Sequence, residues 1–103
     1  MYKISVLIPS SHLETVKHAM FDAGAGRIGN YKNCAWQVLG QGEFLPLENA
    51  QPFMGEKNQS TTVSEYYVQM ICSLDVIHAV ITALKTAHPY EEPAYDIIKL
   101  ETF

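Results

Sequence analysis

VSEYYVQMICSLDVIHAVITALKTAHPYEEPAYDIIKL, residues 63–100, changes its hydrophobic period twice, and those two changes set the fold. From Val63 to Cys72 the residues alternate, with Tyr66, Val68, Met70 and Cys72 on one face and Val63, Glu65, Tyr67, Gln69 and Ile71 on the other, which predicts a strand. Ser73 is placed to cap a helix whose Ile77, Val80, Ile81 and Leu84 form an apolar stripe, with Asp75 in its first turn and Lys85 in its last, each matching the helix dipole. Pro89 ends that helix, because its ring disfavours the helical conformation in the residue before it. Residues 94–100, AYDIIKL, return as a strand.

The N-terminal half repeats the order. In YKISVLI, Tyr2, Ile4, Val6 and Ile8 alternate with Lys3, Ser5 and Leu7 and predict a strand. Ser11 and Glu14 then stand at capping-box spacing ahead of a helix through Leu13, Val16, Met20 and Ala23, with Gly24 or Gly26 as its stop. Residues 31–39, YKNCAWQVL, read as a strand in which Cys34, Trp36 and Val38 suit a packed face. Gln41-Gly42 reads as a turn, EFLPL as a brief returning strand, and residues 48–60 as a long loop without period, uncommon at that length unless functional or mobile.

Two βαβ halves of similar length make one α+β domain, 1–103. They fold most readily as a ferredoxin-like βαββαβ sandwich, a four-stranded antiparallel sheet with both helices on one face. The other sheet face is then left open and only half polar, which calls for a covering partner, most simply another copy of the chain. At 103 residues and 11.6 kDa the chain can bury roughly two thirds of its unfolded surface and fold without staples.

Seven basic residues against eleven acidic give a charge of −4, and the basic ones are scattered. No basic patch for nucleic acid is present. The apolar run before Pro9 is too short for a signal segment or a membrane span, so a cytoplasmic address is expected. Cys34 and Cys72 are far apart and read as reduced, buried small hydrophobes.

Gly24-Ala25-Gly26-Arg27-Ile28-Gly29 spells the dinucleotide-binding fingerprint, but it follows a helix and leads into a strand, the reverse of the order that sets a pyrophosphate on a helix N-terminus. These glycines read as a helix stop and tight connection, where Arg27 and free N–H groups can hold an anion. His12 and His18 lie six residues apart on different sides of a helix and cannot chelate together. His88 is different. It shares the proline-bounded turn HPYEE with Tyr90, Glu91 and Glu92, and one imidazole with two carboxylates suits a divalent transition ion or zinc. A structural turn, with His88 bonded to backbone and Tyr90 packed, is the other open reading. No G-x-S-x-G is present, and Glu91 and Glu92, as neighbours, face apart. Nothing in these motifs supports an enzyme.

With HPYEEPAYD, GRIGNYKNC and GQGEFLP in view, the chain resembles a stand-alone version of the inserted domain of the NIF-three (NGG-one-interacting-factor, YqfO-type) family, itself similar to CutA and PII signalling proteins. The resemblance implies a PII/CutA-like fold and a homo-oligomer, specifically a trimer; the charge pattern and the short apolar run imply no nucleic-acid or membrane partner. It groups Arg27, Gly29, Asn30 and Tyr31 with His88, Tyr90, Glu91 and Glu92 as a common surface at a subunit boundary. The histidine and acidic ligands of the family's two-metal site lie in flanking domains that this sequence does not include, so the GTP cyclohydrolase-like activity sometimes assigned to those proteins is not carried over. In PII-like proteins small ligands bind beside a loop placed like residues 48–60, which is poor in the basic residues that ATP needs. The expected function is a non-enzymatic module binding a small ligand or metal ion. A protein-interaction module without a ligand and a metal-dependent hydrolase are the alternatives.

Overall fold

The structure, a computed structural model, describes residues 1–103. Strand β1 (Tyr2–Pro9) leads through a 3₁₀ turn (Ser10–His12) into helix α1 (Leu13–Asp22). Strands β2 (Trp36–Phe44) and β3 (Thr61–Cys72), helix α2 (Ile77–Ala87) and strand β4 (Tyr95–Lys99) follow. The sheet order is β2-β3-β1-β4 and every neighbouring pair is antiparallel, so the ferredoxin-like expectation holds.

Alternation in the two central strands builds the core. Ile4, Val6 and Ile8 of β1 and Val68, Met70 and Cys72 of β3 meet Val16, Met20 and Phe21 of α1 and Ile77, Val80 and Leu84 of α2. Each such side chain contributes roughly 1.5–3 kcal/mol when fully withdrawn from water. No helix is long and apolar enough to cross a membrane.

Several local expectations need correction. The capping box does not form: the Ser11 hydroxyl bonds His12 Nδ1 at 2.8 Å, because the 3₁₀ turn carries the chain into α1 without a side-chain cap. Ser73 likewise caps no helix. Its hydroxyl donates to Asp75, which precedes α2 instead of lying in its first turn. Gln41-Gly42 is not a turn but part of β2, which starts only at Trp36 and runs unbroken to Phe44 with Gln41 opposite Ser64 and Gly42 opposite Val63. Residues 31–35 instead belong to the connection, where Asn33 takes a positive φ of 58°.

The stop after α1 does follow the glycine reading. Gly24 (φ 114°) donates to the Phe21 carbonyl and Ala25 to that of Met20, the paired bonds of a Schellman motif. Gly26 then donates to Ile71 O and Ile28 to Tyr31 O. Four N–H groups that an anion at this turn would need are thus already bonded within the chain.

Candidate functional site

The sheet face turned away from the helices is where the fold leaves chemistry exposed. The register sets Ser5 and Leu7 of β1, Glu65 and Tyr67 of β3, and Trp36, Val38, Gly40 and Gly42 of β2 on that face. Its two ends differ. At the Trp36 end it is open: Trp36 is 57% exposed and Val38 47%, while Tyr67 donates to Ser5 Oγ at 3.0 Å. Trp36 and Val38 therefore face outward and not into a packed layer.

At the other end the β2–β3 connection folds back over the sheet. Asn58 N–H donates to Pro46 O at 2.6 Å, Asn58 Nδ2 to Glu48 at 2.8 Å, Ser60 to Glu43 at 2.8 Å, and Gln51 N–H to Glu91 at 3.2 Å. Phe53 from this loop stands edge-on to His12 at 5.4 Å. Between loop, sheet and the turn after α2 lies a cleft of about 410 Å³.

His88 anchors that turn. It is only 5% exposed, its Nε2–H donates to the Leu7 carbonyl at 2.8 Å, and its Nδ1 accepts the Tyr90 N–H at 3.2 Å. Burial lowers its pKa, outweighing the Leu7 bond and the Glu65 charge that favour the proton. Both nitrogens are occupied by backbone, and no three His, Cys, Asp or Glu side chains gather to hold a metal ion. His88 is thus bonded to backbone on both ring nitrogens, while Tyr90, Glu91 and Glu92 of the same turn face the cleft.

The other turn residues remain at the cleft. Tyr90, Glu91 and Glu92 line it together with Glu43 and Glu65. The Tyr90 hydroxyl is buried and reaches no hydrogen-bond partner; burial first, then the charge of the nearby Glu65 carboxylate, pushes its pKa up to about 12. Glu65 itself is 7% exposed and forms no ion pair. Alternation along β3 predicts the face of Glu65, but nothing in the sequence marks Glu65, Phe44 or Phe53 as functional. The available signal was a carboxylate in the middle of a β-rich run facing a Gly-x-Gly, which acquires meaning only once β2 and β3 are in register.

Arg27, Gly29, Asn30 and Tyr31 do not join this cleft. Their turn sits by Lys3 and Ile71, where Ile28 and Cys34 line a shallow hollow, at the other end of β1 from Leu7. Lys3 and Leu7 are four positions apart along β1, about 13 Å. The expected common surface is therefore absent within one chain, since antiparallel pairing sends the two connections to opposite ends of the sheet.

The strand order, the helices on one face and the long β2–β3 arm define a CutA/PII-like α+β module. CutA from Nostoc superposes with a TM-score of 0.69 at 16% identity, covering 98% of this chain and 82% of that one. More particularly, the chain resembles one segment of the NIF3-related proteins. A Bacillus cereus protein related to NIF3 matches with a TM-score of 0.83 and 40% identity over 98% of this chain and 26% of its own. A Mycobacterium leprae protein named GTP cyclohydrolase 1 type 2 homolog is 41% identical over 95 residues, 92% of this chain. The chain spans about a quarter of the length of the curated relatives it matches. No family model matches it.

Proposed function

We propose that the chain is a non-enzymatic PII/CutA-like module that assembles with copies of itself and binds a small ligand beside the subunit boundary. The observation that carries this reading is the open sheet face, where Trp36 and Val38 of β2 and Tyr67 of β3, opposite Val38, stand exposed beside the loop-covered cleft. Large apolar side chains grouped on one face favour a partner surface, and a copy seated there would border the cleft two residues further along β3. The turns holding Tyr31 and Tyr90 lie at opposite ends of β1, so they can share a site only between two chains. The relatives' name refers to proteins of which this segment makes up about a quarter, and the reading is restricted to the segment.

Light scattering on a sizing column tests the assembly. A trimer of the 11.6-kDa chain is expected, with a shift toward monomer in the double variant Trp36→Ser, Val38→Ser. A wild-type monomer at micromolar concentration would overturn it. A thermal-shift screen of metabolites and divalent ions tests the ligand, because a molecule held only by the folded state raises the melting temperature with its concentration.

A further inference from the structure

We propose that the cleft under the β2–β3 loop takes a small organic cation, a primary ammonium group carrying an apolar tail. The inference rests on the ligand-binding reading above, but not on the assembly.

Glu65 supplies the first reason. Its side chain lines the cleft although the residue is only 7% exposed, and no lysine, arginine or histidine forms an ion pair with it. A carboxylate placed so is costly unless a charge and a donor reach it. The Tyr90 hydroxyl beside it is the one buried side-chain polar atom without a hydrogen-bond partner. Two polar groups with unused accepting capacity therefore adjoin one apolar space.

The walls supply the second reason. Phe44 and Phe53 flank Tyr90, with ring centroids 6.0 and 6.3 Å from its own, and all three line the cleft. Aromatic faces attract a cation, more strongly when water is excluded. Glu43, Glu91 and Glu92 line the same space and no basic residue does.

These features discriminate among ligand classes. An anion would meet four carboxylates and no cation. A neutral apolar molecule would fill the walls but leave Glu65 unpaired. A metal ion would need several converging ligands, and no group of three is assembled. A primary ammonium answers each feature: its N–H groups reach Glu65 and the Tyr90 oxygen, its charge suits the carboxylate and the rings, and its tail lies against Pro46 and Phe53. The cleft volume of about 410 Å³ falls within the range usual for small-ligand sites, roughly 300–1,000 Å³.

Calorimetric titration of the full chain at pH 7.5 with 2-phenylethylamine, 2-phenylethanol and phenylacetate tests this, since the three differ mainly in the charge of one end. The amine is expected to bind at least tenfold more tightly than the alcohol, and phenylacetate not to bind. Glu65→Gln, nearly isosteric, should bring the amine down to the level of the alcohol and leave the alcohol unchanged. Equal affinity for amine and alcohol, binding of phenylacetate, or an amine preference that survives Glu65→Gln would overturn the proposal. So would binding of none of the three at millimolar concentration, as when a side chain of a second copy fills the cleft. If these probes fail while another metabolite raises the melting temperature, only the cation assignment falls; if no compound binds at all, the ligand-binding reading falls with it.

Discussion

His88 and Leu7 are joined across the end of the sheet, imidazole Nε2–H to carbonyl oxygen at 2.8 Å, and this bond ties the turn after α2 to the central strand. Because burial lowers the His88 pKa from its ordinary value of 6.5, the folded chain resists a proton that the unfolded chain accepts. Stability from this group is complete above about pH 6.5 and is lost as pH falls below it, since the unfolded state then binds more protons. Urea denaturation between pH 5 and 8 should show the decline in wild type. His88→Gln keeps a donor for Leu7 but cannot titrate, and its decline should be shallower; equal slopes would refute the assignment.

Gly42 faces Glu65 so closely that a Cβ at position 42 would land on the carboxylate. The backbone there is ordinary, so the constraint is space and not φ. Gly42→Ala should cost about 1–3 kcal/mol by overpacking. In a Glu65→Ala background the cost should fall by at least about 1 kcal/mol, the coupling expected of residues in contact. Chemical denaturation of the four proteins of the cycle measures it, and strict additivity would count against the packing described.

Tyr90 carries the converse pH signature. Its pKa is raised to about 12 by burial and by Glu65, so its share of stability is complete below about pH 10 and is lost as pH rises toward 12. Tyr90→Phe cannot ionise and should lose stability less steeply above pH 10. Phenolate absorbance near 295 nm should likewise lose its last component in the variant. The same absorbance curve in both proteins would place Tyr90 among the ordinary phenols.

Ser11 makes no bond to a helix N–H, although its spacing from Glu14 is that of a capping box. Ser11→Ala should therefore change stability by less than about 0.5 kcal/mol. A true cap would cost about 1 kcal/mol. Thermal or urea unfolding separates these values.

The comparison of Ser11 with Val68 shows where sequence reading succeeds. Val68 is read correctly as core because period-two alternation is a property of the strand itself, and the whole set Val68, Met70, Cys72 is buried with it. Ser11 is misread because a cap depends on how the chain enters the helix, and a 3₁₀ turn intervenes. Gly42 is misread as a turn residue because glycine signals a bend by default; here it leaves room for a side chain on the next strand, 23 residues later. The backbone bonds of His88 are not legible in HPYEE, because histidine chemistry depends on what reaches its nitrogens, and Leu7 is 81 residues away.

The two βαβ halves, the antiparallel ferredoxin-like sheet and the apolar stripes that join them are legible along the chain, since they follow from the short-range periods of strand and helix. Folding in three dimensions is what sets the β2–β3 loop back over one end of the open face, encloses Glu65 there with Phe44, Phe53 and Tyr90, and puts the Tyr31 turn at the opposite end of β1. The physical reason is that burial, pairing and electrostatic environment are set by groups distant in sequence, brought together by strand register and not by spacing along the chain.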